Sequence, residues 1–216
     1  GEYLSKKYKI PLIITEHNSG FKYKNQGFKK YYRSVSRIST YAQVCYAVSK
    51  SYSKYLKSEL PNNLDWGVHY NIVSEIFLNT KINIPKKEKF IFLTINRLHK
   101  VKNIELLIHS FYLFQKTYNN SELRIIGTGN QYKNLKQLTI KLGINKKVKF
   151  LGNLIRDKIP DELNYSHVYL HSSIYETFGV VFVEALAMGR PIVSTNCGAA
   201  KEIISNISGI VVEKAD

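Results

Sequence analysis

Methionine is almost missing from this chain: Met188 is the only one in 216 residues, and residue 1 is glycine. The expectation is that the amino terminus is processed or lies upstream of the sequence. Cysteine is nearly as scarce. Cys45 and Cys197 stand far apart, with no framework of paired thiols and no metal-ligand spacing, which argues against a disulfide-stapled scaffold and suits a reducing cytoplasm. The six histidines include no pair at ligand spacing on a recognisable helix, so no metal site is expected. Long apolar runs are lacking too. Phe90–Ile95 is among the longest, far short of the ~20 residues that cross a bilayer, and GEYLSKKYKIP at the start has no apolar core of a signal peptide. A soluble or peripheral protein is expected.

What is present points to a folded, basic chain. Hydrophobic content of 44% with 22% charged residues is ordinary for a globular protein, and the length fits one large domain or two small ones. The net charge of +16 favours an anionic partner: a nucleotide, a nucleic acid or an acidic membrane surface. The basic residues are dispersed, with short knots at Lys29-Lys30, Lys86-Lys87 and Lys146-Lys147. A nucleic-acid binder would concentrate them on one element, so compositional drift with some membrane attraction is the preferred reading and no nucleic acid is expected.

Short apolar runs alternate with helical patterns. Pro11–Thr15 reads as a strand, followed by a polar loop at 16–27; 28–40 reads as a helix and 44–48 as a strand. Ser49 is placed to cap a helix ending near Pro61, and 68–73 reads as extended. The charged run at 86–89, behind Pro85, suggests a boundary, which gives a division into 1–80 and 81–216. Beyond it, 89–95 is a strand, and 103–117 puts Ile104, Leu107, Ile108, Phe111 and Phe114 or Gln115 on one helical face. Strands at 123–127, 147–152, 168–173, 191–195 and 209–212 alternate with helices at 130–142, 159–165, 180–188 and 201–205. Strand–helix repetition implies parallel strands with right-handed crossovers: a doubly wound α/β sheet with ligand sites at the carboxyl ends of its strands.

Three loops after strands carry chemistry. In HSSIYETFGVVFVEALAMGRP, Glu176 and Thr177-Phe178-Gly179 lead into a helix whose free N–H groups suit a phosphate. Glu184 lies inside that apolar helix, where a carboxylate is costly to bury unless hydroxyls bond it; alternatively it faces water, as most charged residues do. INRLHKVKN sets Arg97 and Lys102 about a strand-to-helix loop, a fork and a point charge suited to a diphosphate or merely solvated. CGAAKEIISN offers small residues from Gly198 for close backbone approach, with Glu202 opening a helical turn or capping it.

Together these clusters resemble the retaining glycosyltransferases of the GT-B group called family 4, the glycosyl transferases group 1. The resemblance rests on two glutamates, Glu176 and Glu184, separated by seven residues; on Asn96-Arg97-Leu98 with Lys102 five positions after the arginine; and on Gly198–Glu202, where Ala199 replaces a glycine. LRIIGTG resembles the family's strand and Gly-x-Gly turn at Gly127. VKFLGNL resembles the segment that holds the base and places Asn153 and Leu154 near it. YNIVSEIF resembles the interdomain hinge, with Ile72 and Ser74 as departures.

The resemblance implies a Rossmann-like donor domain at 81–216, lacking its last helices, preceded by the closing portion of an acceptor-side domain at 1–80. It implies that Arg97 and Lys102 stabilise the departing diphosphate, that Glu176 holds sugar hydroxyls and that Glu184 holds the ribose. His17 would face the transferred sugar across the interdomain cleft. No metal or other cofactor is implied; the donor is a nucleotide sugar, UDP before GDP, and the acceptor a glycan or lipid-linked saccharide of surface polysaccharide synthesis, at the inner face of the membrane. A glycoside hydrolase is disfavoured, because eight helical residues rise ~12 Å whereas a hydrolytic carboxylate pair stands about 5–9.5 Å apart. Two alternatives stay open: a non-catalytic nucleotide-sugar-binding remnant, and a basic protein that binds nucleic acid or membrane by charge.

Overall fold

The computed structural model describes residues 1–18, 28–60, 64–84 and 88–213. Most of the polar loop read at 16–27, the Pro85–Lys87 part of the charged run and the last three residues lie outside them. The chain divides into two compact units: Gly1–Asn71 with Glu176–Gly179, and Ile72–Tyr175 with Val180–Asp216.

The first unit runs α1 (Glu2–Tyr8), β1 (Ile13–Glu16), α2 (Phe28–Ser39), β2 (Val44–Ala47), α3 (Lys50–Glu59) and β3 (Trp66–Val68). Its three strands form a parallel sheet in the order β1-β2-β3. Ser49 caps α3 as its sequence position predicts: its hydroxyl accepts the Tyr52 amide hydrogen at 3.1 Å and so satisfies one of the helix's orphan donors. The third strand corrects the extended segment read at 68–73. Trp66 pairs with Cys45 and is buried, whereas Ile72 is 86% exposed; burying the indole fixes the strand two residues earlier.

The second unit opens with α4 (Glu75–Asn79), then β4 (Phe90–Ile95), a 3-10 turn (Lys100–Lys102), α5 (Ile104–Thr117), β5 (Ser121–Ile126) and α6 (Tyr132–Lys141). It continues with β6 (Val148–Gly152), a second 3-10 turn (Arg156–Lys158), α7 (Ile159–Tyr165), β7 (Val168–His171), α8 (Val180–Ala187), β8 (Ile192–Thr195), α9 (Ala200–Ile203) and β9 (Gly209–Val212). The division between units precedes the expected boundary at 80/81 because Phe77 of α4 is buried in the second unit's core.

Six parallel strands follow the order β6-β5-β4-β7-β8-β9, the doubly wound arrangement read from the sequence. Both faces of the sheet are covered, and β4 contributes to each. Leu93 and Ile95 join a cluster with Phe77, Phe182 and Met188, while Phe92 packs against the opposite cluster, which holds Ile108 and Phe111. The face of α5 that is buried comprises Ile104, Leu107, Ile108 and Phe111, the expected stripe. Each such side chain contributes roughly 1.5–3 kcal/mol by leaving water, so Phe111→Ala is the change that would most loosen this helix.

Candidate functional site

In this order the direction in which successive strands are added reverses between β4 and β7, and a crevice forms beyond the carboxyl ends of strands at such a point. The residue after β4, Asn96, is buried and donates its amide Nδ2 hydrogen to Thr94 Oγ1 at 2.9 Å. Leu98 is buried as well, so the alternation leaves Arg97 between them exposed. The loop after β5 lies directly on this backbone. Asn96 N donates to the Ile126 carbonyl at 3.0 Å, and Leu98 N donates to the Thr128 carbonyl at 2.8 Å.

Such close stitching requires glycine. A Cβ on Gly127, whose φ is +129°, would stand 1.9 Å from the Asn96 carbonyl oxygen, and one on Gly129 would stand 2.3 Å from that of Leu98. Gly127 N donates in turn to the Gly152 carbonyl at 2.7 Å, which ties in the loop after β6 and sets Asn153 and Leu154. The next side of the site is α8. Three strand ends and one helix thereby enclose a cleft of about 700 Å³ lined by Arg97, Gly127, Asn153, Leu154 and Glu184, together with Arg156.

Glu184 is only 4% exposed, on a helix otherwise built of Val, Phe, Ala and Leu. Its Oε1 accepts from Arg156 Nη2 at 2.7 Å. Burial pushes the Glu184 carboxyl above its ordinary value of 4.5, and the charge and hydrogen bond of Arg156 offset only part of that. The carboxylate thus borders the cleft from an apolar wall, poised to accept from hydroxyl groups.

The remaining predicted residues are not among those that line the cleft. Lys102 ends the 3-10 turn after β4, where its carbonyl accepts from Ser172 Oγ at 2.8 Å; it does not line the cleft. Nor does Gly198, in the loop between β8 and α9. Glu176, Thr177, Phe178 and Gly179 belong to the first unit, as does His17. There Thr177 Oγ1 donates to the His17 carbonyl at 3.1 Å and the Thr177 carbonyl accepts from Ser49 Oγ at 2.6 Å. Phe178 is buried, with its ring 6.0 Å from that of Tyr70.

Residues 76–216 match the family model described as Glycosyl transferases group 1. The chain belongs to this family. An uncharacterised glycosyltransferase of Methanocaldococcus jannaschii is 34% identical over 155 residues, 71% of this chain and 38% of the relative. N-acetyl-alpha-D-glucosaminyl L-malate synthase of Bacillus anthracis is 28% identical over 172 residues, 76% of this chain and 44% of that enzyme. The chain spans less than half the length of these two curated relatives. Among solved structures, Anabaena HepE in complex with UDP superposes on all of this chain and 62% of its own, with a TM-score of 0.82 and 22% identity, a likeness of fold.

Arg156 is the charged lining residue that sequence reading missed. It falls in the short stretch between β6 and α7, IRDKIP, where no periodicity distinguishes a solvated arginine from one that meets a buried acid.

Proposed function

We propose that the second unit grips the nucleoside diphosphate of a nucleotide sugar, and that the protein transfers the sugar with retention to a glycan or lipid-linked acceptor. The observation that carries this reading is the convergence of Arg97, Gly127, Asn153, Leu154 and Glu184 on one cleft at the strand-order reversal. Arg97 supplies a fork for the diphosphate and neutralises the charge that grows on the leaving nucleotide; Lys102, which is not among the lining residues, is proposed to add its charge from the turn after β4. The Gly127 loop admits the diphosphate close to backbone, Asn153 and Leu154 border the base, and Glu184 accepts from the ribose hydroxyls. Glu176 is proposed to hold hydroxyls of a sugar and His17 to face one, both as residues of the first unit.

Uridine is the proposed base. HepE is a protein of this fold whose structures hold UDP, and UDP with glucose. The excess of positive charge supports an anionic, lipid-linked acceptor in surface polysaccharide synthesis, at the cytoplasmic face of a membrane; no described helix is long and apolar enough to cross one. Thermal-shift screening against UDP-, GDP- and ADP-sugars is the test. Stabilisation by a UDP-sugar is expected, and failure of all three to raise the melting temperature would overturn the reading. A labelled-donor assay then separates transfer from mere binding.

A further inference from the structure

Arg156 lines the cleft and is held there on two sides. Its side chain is 55% exposed, yet its Nη2 reaches a carboxylate whose own side chain is 5% exposed, at 2.7 Å. Its guanidinium carbon lies 5.3 Å from the centre of the buried Phe77 ring. One arginine is therefore fixed between an aromatic ring and an acid, both held by the core. Planar stacking and a directed N–H fork are properties of arginine that lysine does not share. Among the described residues Glu184 forms no other ion pair, and its Oε2 makes no hydrogen bond.

We propose that Arg156 is a positioning residue of the cleft, holding the Glu184 carboxylate by Oε1 and leaving Oε2 directed to the vicinal hydroxyls of a nucleotide ribose. This rests on the donor reading above and adds the residue that makes the ribose contact geometrically definite. Without Arg156, Glu184 would be a carboxylate in an apolar wall with no counter-charge, a situation that drives it to the neutral acid. Burial already pushes it that way, and Arg156 is the cation that opposes it. Arg97 lines the same cleft without pairing with it. The charged residues on the helices packed against α8 are Glu75 of α4 and Lys201 and Glu202 of α9.

Two measurements test this on the whole chain. The first follows the Glu184 carboxyl by carbon-13 NMR, assigned with Glu184→Gln, in the wild type, Arg156→Gln and Arg156→Lys. The Glu184 titration is expected to move up by about one pH unit or more in Arg156→Gln, since a neighbouring opposite charge shifts a carboxyl by that much, and to return most of the way in Arg156→Lys. The second measures UDP affinity at pH 6 and pH 8. Arg156→Gln is expected to weaken binding about tenfold at pH 6 and less at pH 8, with the wild type changing little. An unshifted Glu184 titration overturns the proposal, and so does UDP binding in Arg156→Gln that matches or exceeds the wild type at both pH values. Wild-type protein that binds no nucleotide overturns the donor reading instead, and the NMR titration then decides alone whether Arg156 governs Glu184.

Discussion

The carbonyl oxygen of Asn96 lies where the side chain of residue 127 would begin: a Cβ on Gly127 would be 1.9 Å from it. Neither partner can yield, because the Asn96 amide is bonded to the Ile126 carbonyl and the Gly127 amide to that of Gly152. The floor of the cleft is thus a place where three loops meet at backbone distance.

Gly127→Ala is therefore expected to part those loops. Backbone strain combined with a hard overlap costs about 3 kcal/mol, or ~6–12 °C in melting temperature at this chain length. Calorimetry checks it, and an unchanged melting temperature would contradict the close approach.

Glu184→Gln keeps the volume of the side chain and removes its charge. Hydrogen bonds to a charged group contribute about 1.5–3 kcal/mol, so UDP affinity is expected to fall roughly 10- to 100-fold. Titration calorimetry with UDP and with UMP should show similar losses, because both carry the ribose.

Arg97→Ala should discriminate between ligands. Its expected target is the diphosphate, so binding of UDP should weaken about tenfold or more, while whatever binding uridine shows is retained. Arg97→Lys should recover part of the loss, since it restores the charge without the fork.

Arg190 makes a useful contrast, being buried yet not among the residues that line the cleft. It donates to three carbonyls, those of Met188 at 2.8 Å, Ser166 at 2.9 Å and Asn83 at 2.9 Å. Arg190→Met leaves these acceptors unmatched and is expected to cost about 3 kcal/mol of stability. Nucleotide affinity of the folded protein should not change.

Acid sensitivity should report Glu122 on β5. Burial pushes its carboxyl up, but hydrogen bonds from Arg124 and Lys89 outweigh that and hold it below the ordinary value of 4.5. A carboxyl depressed on folding stabilises the native state above its unfolded value, and that contribution is lost as pH falls through the folded one. The melting temperature should accordingly fall as pH drops below about 4.5, and Glu122→Gln should make that fall shallower.

How far the sequence foretold this molecule differs between elements for physical reasons. The stripe of α5 was legible because 3.6-residue spacing of Ile104, Leu107, Ile108 and Phe111 has no other reading. Strand β3 was misplaced because a lone tryptophan carries no period, and only the pairing partner Cys45 shows that Trp66 enters the sheet. Arg97 and Glu184 are legible as charged residues at a strand end and inside an apolar helix, whereas Gly127, Asn153 and Leu154 are reached only through the family resemblance, because a Gly-x-Gly turn or a short polar loop is by itself a weak signal. Arg156 escaped because ion pairing between residues 28 positions apart leaves no local pattern.

The central strand has a bearing on how the chain is made. Ile91 of β4 donates its amide to His167, 76 residues further on, and the register of β4 with β7 begins at Phe92 and Val168. During synthesis the middle of the large sheet must wait, with one side unpaired, until most of that unit has been translated. Parallel strands separated so widely form late and expose aggregation-prone edges in the meantime. Slowing translation or lowering temperature should raise the soluble yield of this protein more than it does for a helical bundle of the same length.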